Sequence, residues 1–173
     1  MSKKIIKKKS KISNAGNGMF AKKIFHRGDI VCEYFGMIVS KDTIYESYMR
    51  DKENYITKIH PYVRDLDDKR VIIGKENKDI YKSGVLVNDG AMLKTDEIED
   101  MKKYINESLS KANVEIVIKG DKALYLAKKR IKKGEECYAH YGLGYWLLGN
   151  GVDPKMIAIM DRDMGGFDQL YPK

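Results

Sequence analysis

Apolar residues recur along the chain in two rhythms. From Thr95 to about Lys111, Ile98, Met101, Ile105 and Leu109 fall three and four positions apart. That spacing predicts an amphipathic helix, capped by Thr95 or Asp96, with acids in its first turn. Elsewhere the rhythm is shorter. Val114, Ile116 and Ile118 alternate with polar neighbours, Gly120-Asp121 turns the chain and residues 123–127 return, which predicts a hairpin. Residues 30–36 read as a strand ending at a glycine, and residues 62–66 and 70–74 as two more around Asp67-Asp68. Ser40 or Asp42 caps a short helix carrying Ile44, Tyr45, Tyr48 and Met49 on one face, and Asp153-Pro154 opens a last helix that Gly165-Gly166 ends. Many short strands, few helices and no strand–helix alternation exclude a doubly wound dinucleotide fold. The pattern gives a mostly β domain with minor α and one inserted helix.

Composition narrows this further. A chain of 173 residues, 43% of them hydrophobic, can bury a core as one domain without disulfides or a structural metal. Cys32 and Cys137 stand far apart and outside any CxxC pair, which excludes a zinc-built module or a disulfide scaffold and fits a reducing compartment. No apolar run approaches the roughly 20 residues that span a bilayer. The formal charge is +8, yet residues 1–28 hold nine Lys or Arg and no acid, while the remainder is near neutral. Six lysines lie between Lys3 and Lys11, a run that suits a polyanion, a nuclear address or simple solvation.

The chemistry-bearing residues say little singly. Gly16-Asn17-Gly18 lets backbone approach a ligand but lacks the Lys-Ser/Thr ending of a phosphate loop. His26, His60 and His140 have no metal-ligand spacing, and Cys137 lies in a predicted strand without an evident base.

Their order says more. Gly16-x-Gly18-x-Phe20-Ala21, then Ile24, Gly28, Ile30 and Glu33-Tyr34-x-Gly36, resembles the opening of a SET-domain protein lysine methyltransferase. The end is similar too, with Ile131-Lys132-Lys133-Gly134-Glu135-Glu136, then His140-Tyr141-Gly142 and Tyr145-Trp146. Between them, Gly84-Val85-Leu86-Val87-Asn88-Asp89 resembles the family's glycine, apolar pair and Asn-His-Ser segment, and Ala112-Asn113 stands where the family has Pro-Asn. Two positions depart: the histidine after Asn88 is Asp89, and the serine is Gly90. Asn106-Glu107-Ser108 offers a competing register. Asn88 is preferred because it follows a strand-like apolar pair, whereas Asn106 falls within the amphipathic helix.

The resemblance implies a SET-domain fold of several small sheets with a knot-like active-site crossing. Residues 12–146 would form the domain, with 41–62 as a variable substrate wall and 91–111 as a helical insertion. Residues 1–11 would be a basic flexible tail, and 147–173 would close the site in place of the family's frequent zinc-binding segment. The implied reaction moves a methyl group from S-adenosylmethionine to a protein lysine, a histone tail first among candidates, leaving S-adenosylhomocysteine and using no metal. Tyr141 is then the active-site tyrosine and touches the cofactor. Asn17, Gly18 and Met19 present backbone to it, Asn88 and Asp89 hold its adenine or amino-acid end, and Trp146 stacks on adenine. Tyr62 and Ala139 line the substrate channel, and the small Ala139 leaves room for more than one methyl. The expected setting is soluble and intracellular, with the nucleus as candidate compartment, weak nucleic-acid contact through residues 3–11, no membrane and a homodimer as candidate assembly. The missing histidine and serine motivate an alternative: an inactive module of the same shape that binds chromatin or DNA through the basic tail.

Overall fold

The computed structural model describes residues 4–172. Their strands form four small sheets. β1 (Ile5–Lys9) and β2 (Asn17–Ala21) make an antiparallel pair. β3 (Ile30–Tyr34) and β8 (Val114–Lys119) flank β9 (Lys122–Ala127), while β4 (Gly36–Ser40) and β5 (Val63–Asp65) flank β6 (Arg70–Gly74). β7 (Asn88–Asp89) and β10 (Tyr138–Ala139) run parallel, setting Asn88 beside Tyr138 and Asp89 beside Ala139. Inward-facing residues of these strands, among them Met19, Val31, Tyr34 and Tyr125, share one core with Phe25 and Ile131. The expected architecture is present, with helices taking a larger part than the strand-rich pattern suggests.

The first helix, α1 (Lys41–Arg50), starts where Ser40 accepts the Thr43 N–H at 3.1 Å. The short α2 (Lys52–Asn54) and two further turns carry the chain to Tyr62. The inserted helix α3 (Ile98–Lys111) buries Met101, Tyr104 and Ile105. It begins after Thr95 because Thr95 turns the chain instead, accepting the Glu97 N–H and donating to Asp100 at 2.7 Å. α4 (Leu143–Gly149) and α5 (Pro154–Asp163) follow, the latter capped by Asp153 as expected. Leu143 and Leu147 join α3 in a second core, and Ile157, Met160, Phe167 and Tyr171 pack against it. Residues after Trp146 therefore close over the inserted helix. Among the described residues no helix is long and apolar enough to cross a membrane.

Three expectations need correction. The basic segment is not a flexible tail from residue 5 onward: it is β1, paired with β2 from Ile5 opposite Ala21 to Lys9 opposite Asn17. Ile5 is 3% exposed, a burial that contributes about 1.5–3 kcal/mol, and lysine stems cover the adjoining rings, with Lys8 Nζ 5.8 Å from the Phe20 centre. The part of that segment at residues 1–3 lies outside the described residues. Gly84–Leu86 is a 3-10 turn, and only Asn88–Asp89 pairs as strand. Likewise, only Tyr138–Ala139 of the stretch around Cys137 is strand.

Candidate functional site

Beside the β7–β10 pair opens a cavity of about 630 Å³, within the range of a nucleoside-sized ligand. Asn17, Asn88, Tyr141, Tyr145 and Trp146 are among its walls. Asn88 is aimed by its carboxamide, which donates to the Asn17 carbonyl at 3.0 Å. The competing Asn106 is exposed on α3. Gly16 has φ +69°, so the turn into β2 requires its freedom. Gly18 is required for a different reason. A Cβ there would meet Glu136 Oε1 at 2.0 Å, and that buried carboxylate accepts from Ser10, Tyr138 and the Lys11 N–H.

Asp89 is a structural hub. It is 3% exposed. Its Oδ2 accepts from the Tyr104 hydroxyl at 2.6 Å, Trp146 Nε1 at 2.9 Å and the Tyr141 N–H at 3.0 Å. Its Oδ1 accepts from Ser108 and from the Ala91 N–H. One carboxylate thus binds α3, α4 and the Tyr141 backbone together. His140 extends the network, with Nδ1 2.8 Å from Ser108 Oγ and Nε2 2.8 Å from the Tyr171 hydroxyl. Burial holds the His140 imidazole below its ordinary pKa, while the nearby Asp89 pulls upward. Gly90 fits because α3 passes overhead: a Cβ would meet that of Lys111 at 2.6 Å.

Tyr141 divides the site. Its hydroxyl donates to the Val87 carbonyl at 2.5 Å. Burial pushes that hydroxyl well above the usual tyrosine pKa, with the Arg64 guanidinium opposing, so the side chain stays a neutral phenol. Beyond Tyr141 lie two further cavities of about 530 and 420 Å³. The first holds Tyr45, Tyr55 and His60, and the second holds Ala139, Ile116 and Tyr125; Arg64 and Tyr141 line both. Tyr48 and Tyr55 are buried against each other, edge to face, so these two tyrosines of the 41–62 wall are core residues. Acids stand at the rim, where Asp65 and Glu115 are exposed.

Of the residues expected to touch a cofactor, Asn17, Asn88, Asp89, Tyr141 and Trp146 share the first cavity. Asp89 has both oxygens committed to the protein. Gly18 and Met19 face the core of β2 instead of this cavity; Met19 is fully buried, and its carbonyl accepts from the Cys137 N–H. Tyr62 lines the first cavity and Ala139 the third, so these two expected channel residues are not neighbours in one chamber. Arg64 was missed. Its signal in the sequence is a charged residue inside a strand, on the face opposite the exposed Asp65.

A family model described as SET domain matches residues 16–142. No curated protein matches the sequence. Among solved structures, Chaetomium thermophilum Polycomb Repressive Complex 2 bound to GSK126 is similar, with 20% identity, a TM-score of 0.58, and 91% of this chain and 18% of that chain covered. So is ctPRC2 in an autoinhibited conformation bound to S-adenosylmethionine, with 22% identity, a TM-score of 0.54, and coverage of 94% and 17%. The chain therefore spans under a fifth of the length of the chains it matches, and at such identities the likeness is one of fold.

Proposed function

The chain belongs to the SET-domain family, and from that membership we propose that it is a protein-lysine methyltransferase using S-adenosylmethionine. The observation that carries the reading is the position of Tyr141, which walls the nucleoside-sized cavity on one side and the tyrosine-lined chambers on the other. S-adenosylmethionine supplies an electrophilic methyl group on a sulfonium. The residues present fit it. The Trp146 indole is fixed by its bond to Asp89 and offers a ring for adenine, and the Asn88 carboxamide and the 14–17 turn offer polar contacts.

On the other side, burial and the nearby Arg64 guanidinium disfavour an ammonium, so a lysine reaches the reacting position as the neutral amine, its stem against the tyrosine rings. Tyr141 bounds its path, and the Val87 carbonyl fixes the ring. Orientation and exclusion of water then supply most of the acceleration. The exposed Glu115 at the rim favours a basic peptide, of which a histone tail is the first candidate.

A second reading rests on β1. Lys7, Lys8 and Lys9 are exposed on one short strand, a charge pattern that suits a polyanion in an inactive module. Labelled S-adenosylmethionine with core histones separates the two. The methyltransferase reading expects label on a histone, reduced at least roughly tenfold by Tyr141→Phe. Neither label nor cofactor binding leaves only the polyanion module.

A further inference from the structure

The aromatic channel already contains a cation. Arg64 sits in β5, and its guanidinium carbon lies 4.0 Å from the Tyr141 ring centre, 4.9 Å from that of Tyr145 and 5.6 Å from that of Tyr34. Its Nη1 donates to the Val63 carbonyl at 2.7 Å. Among the described residues it makes no ion pair: Asp65, its neighbour, is taken by Lys41 at 2.8 Å. A guanidinium keeps its charge in proteins, so the tyrosine faces are what compensate it. These are the same faces that would receive a methylated lysine head group.

Arg64 also borders the space that the small Ala139 leaves open. Ala139, Tyr141 and Arg64 line one chamber of about 420 Å³. A small residue at position 139 suggests room for several methyl groups, but the guanidinium takes one face of the Tyr141 ring against which such a head group would lie.

Resting on the methyltransferase reading, we propose that Arg64 sets product specificity by confining the enzyme to a single methyl transfer. In that transfer the neutral lysine Nζ uses its lone pair to form the N–C bond. The sulfonium C–S bond breaks with its electron pair retained by sulfur, leaving a neutral thioether. The product is a methylammonium that stays charged, and the one proton released overall is the one the substrate ammonium gave to water before transfer. Beside a fixed guanidinium this new cation is repelled, which speeds its departure. For a second transfer the nitrogen must turn with its methyl group toward Ala139 and Tyr141, and Arg64 blocks that position. A lysine at position 64 would keep the charge but stack less well on the rings.

The test compares wild type with Arg64→Met and Arg64→Lys. Each protein is incubated with S-adenosylmethionine and core histones, and the modified lysine is weighed by mass spectrometry. Wild type is expected to yield monomethyl-lysine, and Arg64→Met to raise the ratio of higher to single methylation at least tenfold, with Arg64→Lys between them. A second readout needs no turnover. Tetramethylammonium, a small cation shaped like the trimethylated head group, is titrated while tyrosine resonances are followed by NMR. It is expected to bind Arg64→Met at least tenfold more tightly than wild type, and unchanged cofactor affinity by calorimetry shows that the fold is kept. If Arg64→Met does not fold, Arg64→Gln takes its place. Dimethyl- or trimethyl-lysine from wild type, or equal product ratios and equal tetramethylammonium affinities, overturns the role of Arg64 and leaves the methyltransferase reading intact. No transfer and no cofactor binding by any of the proteins overturns that reading, and the specificity role falls with it.

Discussion

The two sides of Tyr141 are built differently. On one side the cavity is spacious, with the Trp146 ring and the Asn88 carboxamide held in place by hydrogen bonds and facing open volume. On the other, the tyrosine faces are already engaged by Arg64. The first side is prepared for a large, partly polar ligand, and the second admits a slender chain only beside a resident cation. On the proposed reading, preorganisation concentrates on the cofactor side, and selectivity on the substrate side. Both depend on Asp89, which anchors Trp146 and the Tyr141 backbone through one carboxylate.

Removing that anchor should collapse the distinction between the two sides. Asp89→Ala leaves the buried Tyr104 and Ser108 donors and the half-buried Trp146 donor without their acceptor, and a loss on the order of 3–5 kcal/mol is expected in urea denaturation. Tyr141→Phe is a finer cut. It keeps the ring beneath Arg64 but removes the hydroxyl bonded to Val87, so methyl transfer should fall roughly ten- to a hundredfold while cofactor affinity holds. Trp146→Ala or Asn88→Ala should act on the open side alone, weakening S-adenosylhomocysteine roughly tenfold, about 1.4 kcal/mol, without changing the number of methyls added.

The smallest expected effect is that of pH. Burial holds His60 below the ordinary imidazole value of 6.5, opposed by its bond to the Tyr145 carbonyl, and burial likewise holds His140 below it, opposed by Asp89. Because both folded-state values are lowered, the unfolded chain binds more protons in acid. Stability should be full above about pH 6.5 and decline as the pH falls below it, and His140→Gln should flatten part of that decline in thermal melts.

Much of this was legible in the sequence, for reasons that particular residues make plain. Elements whose signals are local appear where expected: the α3 periodicity, the Ser40 cap and the Asp153-Pro154 start depend on neighbours a few positions away. Asn88, favoured over Asn106 for the apolar pair before it and because Asn106 falls in a helix, faces the open cavity. What stayed hidden depends on distant partners. Lysines mask Ile5, whose burial orders β1 only once β2 is beside it. Asp89 reads as a departure from a motif until α3 brings Tyr104 and Ser108 over it. Arg64 looks like an ordinary strand-surface charge until β5 and α4 place it against the Tyr141 and Tyr145 rings.

A crystal structure of the protein with S-adenosylhomocysteine tests the division at Tyr141 most directly. The account predicts adenine against Trp146, polar contacts from Asn88 and the 14–17 turn, and the sulfur facing Tyr141, with Arg64 still stacked on the far side. A ligand bound elsewhere, or one lodged among Tyr45, Tyr55 and Arg64 with the larger cavity empty, would contradict it.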